Sequence, residues 1–94
     1  MHLSRHISTY YQLSRHARAR MQQRSIPRFA VELLLEFGDP VEVPGDGVKH
    51  SFTADSWADA RDLLGAHASR LDRYRYAYAI VSGDGTVVTV GWLN

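Results

Sequence analysis

LSRHARARMQQRSIPRFAVELLLEFG, residues 13–38, reads as two short helices joined by a tight connector. Leu13, Ala17 and Met21 recur every four residues, which makes one narrow apolar stripe on a helix over residues 14–24. Ser14 is placed to cap it. His16, Arg20 and Arg24 step by the same four residues and form a second, polar stripe beside the first. Ser25-Ile26-Pro27 breaks the pattern, and proline suits the first position of a new helix, where its missing N–H costs nothing. Over residues 27–37, Val31, Leu34 and Leu35 make a greasy face that Leu33 and Phe37 widen. Gly38 followed by Asp39-Pro40 stops that helix. The first helix is thus cationic and the second apolar.

The rest of the chain reads outward from this pair. Before it, His2, Ser4, His6, Ser8 and Thr9 show no period, and Thr9-Tyr10-Tyr11 reads as a short strand or an ordered lead-in. After it, Val41-Glu42-Val43 alternates, Pro44-Gly45-Asp46-Gly47 is a turn cluster, and residues 48–53 alternate again, which predicts a hairpin. That second strand sets Val48, His50 and Phe52 on one face and Lys49 and Ser51 on the other. Residues 55–71 have helical spacing at Trp57, Ala60, Leu64, Ala68 and Leu71, with Ser56 and Asp59 resembling a capping box. Gly65 weakens that helix and predicts a kink or an early stop. Residues 73–81 read as the clearest strand, with Tyr74, Tyr76 and Tyr78 in a row on one face. Ser82-Gly83-Asp84-Gly85 is a hairpin turn, and residues 86–93 return with Val88, Val90 and Trp92 on one face. The order helix, helix, strand, strand, helix, strand, strand predicts an α+β domain, its N-terminal helices packed on a four-stranded antiparallel sheet.

Composition bounds what this domain does. At 94 residues it is one small domain whose thin core needs nearly every apolar element. A hydrophobic content of 45% is too high for a disordered chain. With no cysteine, disulfides and thiolate metal sites are excluded, which fits a reducing compartment. The greasiest run, residues 31–35, is far too short for a membrane span, and the first residues lack a signal-peptide core, so the expectation is a cytoplasmic protein without a membrane partner. Nothing in the histidine and carboxylate spacing calls for a metal, and no glycine-rich loop calls for a cofactor.

Charge is lopsided although the net is only +1. Residues 1–28 carry Arg5, Arg15, Arg18, Arg20, Arg24 and Arg28 and no acid, whereas residues 29–72 carry nine of the ten acids. A basic end can meet RNA, an acidic partner, or the acidic half of its own chain. The His16, Arg20, Arg24 stripe can grip a phosphodiester, with histidine as acid or base and arginine on the developing charge. Alternatively those side chains border the core and pair with Glu32 or Glu36. The tyrosine row suits stacked bases or a packed core.

Two stretches carry a family resemblance. Residues 14–26, SRHARARMQQRSI, resemble the opening of the bacterial domain of unknown function 4258 family, which runs roughly T/S-x-H-A-x-x-R-M-x-x-R-x-I. Residues 78–90, YAIVSGDGTVVTV, resemble its last hairpin, roughly Y-x-V-V-x-x-D-G-x-V-I-T-V. The resemblance implies a RelE- or BrnT-like toxin fold and a metal-independent endoribonuclease, in which basic and histidine side chains promote attack of the RNA 2′-hydroxyl on its own phosphate. On that reading His16 is the acid/base and Arg20, Arg24 and Lys49 bind phosphate, with Thr89 facing the same cleft. The chain departs from the family after its last strand, where Gly91-Trp92-Leu93-Asn94 stands in place of basic residues, and in the acidic start of the helix at 55–71. The alternative is therefore an inactive interaction module of the same fold, docking an acidic antitoxin-like protein or a second copy of itself.

Overall fold

A computed structural model describes residues 11–45 and 47–94. The readings made for residues 1–10 and for Asp46 lie outside the described residues. Ten elements follow in order: β1 (Gln12–Leu13), α1 (Arg15–Arg24), α2 (Arg28–Phe37), β2 (Asp39–Val43), β3 (Gly47–Ser51), α3 (Ala54–Leu64), two short 3-10 turns (Gly65–His67 and Asp72–Tyr76), β4 (Ala77–Ser82) and β5 (Thr86–Trp92). The sheet order is β1-β5-β4-β3-β2. The expected antiparallel meander is present in β2 to β5. A fifth strand corrects the expected count of four: β1 adds parallel to β5, so the sheet is mixed. Two residues carry no alternation, which is why the sequence pattern does not show it.

The two N-terminal helices form as their caps dictate. Ser14 is the N-cap of α1, and its Oγ accepts from the Ala17 N–H at 2.9 Å. The C-terminal end is set two residues before the proline. Ser25 takes the left-handed conformation at φ 56°, and the Ile26 N–H donates to the Met21 carbonyl at 2.9 Å. That is the six-to-one closure of a Schellman turn, with serine where glycine is usual. Pro27 caps α2 from outside rather than opening it. The Ser56–Asp59 capping box is replaced by one a turn earlier: Thr53 is the N-cap and Ser56 the reciprocal partner. α3 stops at Gly65, which has φ 58°.

Helices cover one face of the sheet. Ala17, Ile26, Val31, Leu34, Trp57, Tyr74, Ala77, Ala79, Val87 and Val90 are among the residues of the core. Leu34 and Val31 of α2 are fully buried, and Phe52 meets Trp57 edge-on at 5.0 Å, tying α3 to the end of β3. Val87 shares the core face with Val90 because a bulge falls there: Ile80 pairs Thr89 while Val81 pairs Val87, so Val88 is the extra residue. The strict alternation expected for β5 fails for that reason. No helix among the described residues is long and apolar enough to cross a membrane.

The tyrosine row does not form. Asp72–Tyr76 winds as a 3-10 turn, so β4 starts only at Ala77. Tyr74 is buried and stacks on Trp92 at 5.9 Å, whereas Tyr76 is 48% exposed. Period-two spacing of aromatics over three positions suits a strand, but the core takes Tyr74 alone. Truncating Tyr74 to alanine should therefore cost about 3–5 kcal/mol of unfolding free energy. Tyr76→Ala should stay within about 0.5 kcal/mol. Urea titrations of the two variants check this, and equal losses would restore the row.

His50 sits on the covered face, with a buried Nδ1 that finds no partner among the described residues. Desolvation lowers its pKa from 6.5. The folded chain then stays neutral at His50 where the unfolded chain takes up a proton. Stability from this group is complete above 6.5 and falls as pH drops through the folded value. Exchanging His50 for leucine should flatten the decline in melting temperature just below that pH, measured against the parent protein in matched buffers.

Candidate functional site

The face of the sheet that no helix of the described residues covers, called uncovered below, is built by register. Lys49 pairs Ile80, and Ile80 pairs Thr89, so these three lie in one row across β3, β4 and β5. Ser51, Tyr78 and Gly91 make the next row. Edge strand β2 adds Val41 and Asp39 to the ends of the two rows. Val41 is 59% exposed.

Tyr78 is the centre of this face. Lys49 Nζ lies over its ring, 4.7 Å from the centroid. At the far end the ring lies against Gly91. A Cβ at position 91 would stand 2.8 Å from Tyr78 Oη and 2.7 Å from Arg24 Nη1. The phenol and the guanidinium are therefore neighbours over a strand position where a Cβ would have to push them aside. Arg24 comes from the last turn of α1 and reaches round the edge of the sheet, where its Nη1 donates to the Val90 carbonyl at 2.8 Å. The three side chains are half-buried. Among the described residues the ion pairs are Arg28–Glu32 and Arg75–Asp72, so neither Lys49 nor Arg24 is in one. Asp39 is the acid of this face. Its Oδ2 accepts from Thr53 Oγ1 at 2.7 Å, which holds the carboxyl below its usual range.

The expected site residues divide. Arg24 and Lys49 come together through Tyr78. Arg20 stays on the helix, donating to Gln23 Oε1 at 2.8 Å. His16 is exposed in the first turn of α1. Eight residues of helix separate it from Arg24, about 12 Å along the axis. The expected pairing of Arg20 and Arg24 with Glu32 is absent, since Glu32 meets Arg28 at 3.5 Å. Tyr78 and Gly91 are the site residues that charge and histidine spacing overlook. Their signal is the lone glycine inside a valine-rich strand, a mark of close approach by another group.

Among the described residues no three histidines or carboxylates stand together to hold a metal ion. Comparison of the chain with protein-family models, with curated proteins and with solved structures gave no match.

Alanine at Gly91 should push Arg24 off the Val90 carbonyl and turn the Tyr78 ring. The overpacking should cost about 1–3 kcal/mol. Shifts of the Arg24 guanidinium and Tyr78 ring resonances, with a urea titration, read both effects; an unmoved Arg24 side chain would refute the contact.

Proposed function

We propose that the domain is RelE-like in build and captures single-stranded RNA on its uncovered sheet face, with one phosphate held between Lys49 and Arg24. The observation that carries this reading is the cluster itself: two cations with no carboxylate partner among the described residues, brought to one tyrosine. An arginine fork and a lysine point charge together suit a phosphodiester. Thr89 and Ser51 add hydroxyls to the same rows for sugar or phosphate oxygens. α3 belongs to the helical layer, where Trp57 is in the core, and its N-cap Thr53 meets Asp39 at the β2 end of the sheet.

Toxin-type cleavage asks for an acid or base at that same phosphate. His16 begins two turns of helix away from Arg24, and His50 belongs to the covered face. The reading is accordingly one of RNA binding, and the nuclease step is the stronger claim that the same experiment measures.

Fluorescence anisotropy with a labelled single-stranded RNA oligomer tests it. Lys49→Ala and Arg24→Gln should each weaken binding about tenfold. Each should also reduce the slope of log affinity against log salt by about 0.7. Incubated under the same conditions, the RNA should remain whole with parent protein and with His16→Ala alike. Cleavage lost in His16→Ala would establish the endoribonuclease, and affinity indifferent to Lys49 would remove the site.

A further inference from the structure

A second surface lies in the helical layer and shares no residue with the RNA cluster. Between α1 and α2 runs an open groove of about 590 Å³. Leu13, Met21, Ile26 and Tyr74 line its floor, and Arg18 and Arg28 stand among its lining residues as the cations. Arg18 is exposed. Arg28 meets Glu32 across 3.5 Å with both side chains well exposed, a pair that water and salt weaken readily.

The same chain carries the complementary charge elsewhere. On α3, Asp55, Asp59 and Asp62 fall at i, i+4 and i+7, so they share one stripe of the helix. All three are exposed, and the stripe lies opposite the buried Trp57 and Ala60. Leu63 joins the stripe one turn from Asp59 and is 52% exposed. An acidic helix face with a protruding leucine is what a basic groove with an apolar floor would take.

The two surfaces do not meet within one molecule. α3 packs on α2 and on the 3-10 turn that follows it. Both ion pairs among the described residues are local, three or four residues apart. Among the described residues no ion pair joins the acidic stripe of α3 to the arginines of the groove.

We infer that copies of this chain associate head to tail, the acidic stripe of α3 on one copy docking into the α1–α2 groove of the next. Leu63 enters over Met21, Ile26 and Tyr74, while Asp59 and Asp62 face Arg18 and Arg28. Charge complementarity selects this occupant: the groove is cationic, and α3 is the acidic, leucine-bearing helix that every copy supplies. The contact joins two different patches, so it is heterologous and builds a ring or an open chain of copies. Association is favoured at low ionic strength and screened by salt.

Sedimentation velocity from micromolar to millimolar protein tests the contact in the whole chain. The parent protein should grow in mass with concentration and return toward monomer in high salt. Arg18→Glu breaks the groove and Leu63→Asp breaks the docking face; each should weaken association at least tenfold while circular dichroism stays unchanged. An equimolar mixture of the two retains one intact groove and one intact stripe, so it should form pairs and nothing larger. A parent protein that stays monomeric throughout overturns the inference. So does association that both substitutions leave intact, which would assign it to another surface such as the β2 edge, and so does a mixture no heavier than its separate components.

Discussion

One edge of the sheet has to be closed, and α1 closes it. β1 pairs β5 for only two residues, after which the outer carbonyls of β5 need other donors. The Ser14 N–H donates to Val87 at 3.0 Å, the Ser14 hydroxyl to Val88 at 3.3 Å, and the Arg24 guanidinium to Val90 at 2.8 Å. The return bond runs from the Trp92 indole to the Arg24 carbonyl at 2.9 Å. A single ten-residue helix is thereby stitched along the strand at both its ends. The same stitching carries the Arg24 side chain round the edge to the uncovered face. What satisfies the backbone of β5 also delivers the cation to the site.

The opposite edge is handled by composition. β2 is short and carries Pro40 and the charged Glu42, which discourage pairing with a further strand. Only Val41 is left prominent there.

The helical layer was legible in the sequence because its signals are local. Ser14 as a cap, the greasy stripe of Val31 and Leu34, and the stop at Gly38 each follow from neighbours a few residues away. The strands were legible where alternation was long. Misreadings fall where a distant contact decides. The Tyr74–Tyr76 segment has strand spacing, yet Tyr74 winds inward to stack on Trp92, eighteen positions on. The phase of β5 slips at a bulge that only its pairing with β4 reveals. The candidate site shows the same division. Charge and resemblance point to Arg24 and Lys49, but Tyr78, which joins them, has the spacing of a row that the fold does not form, and His16 and Arg20 share the helical period and the resemblance without joining the cluster. Period places side chains on one face of a helix; it does not say that only the last of them reaches the sheet edge.

The sheet divides the molecule's chemistry into two sides. On the uncovered side stand Lys49, Tyr78 and Arg24, with hydroxyls in the neighbouring positions. On the helical side stand a basic groove and an acidic stripe that belong to different helices. Amide chemical-shift mapping during titration with a short single-stranded RNA tests the assignment of RNA to the first side most directly. The account predicts salt-sensitive shifts concentrated at Lys49, Tyr78, Thr89 and Gly91, with α3 silent. Shifts confined to the exposed arginines of α1 and the groove beside it, leaving β3 and β4 unmoved, would contradict it.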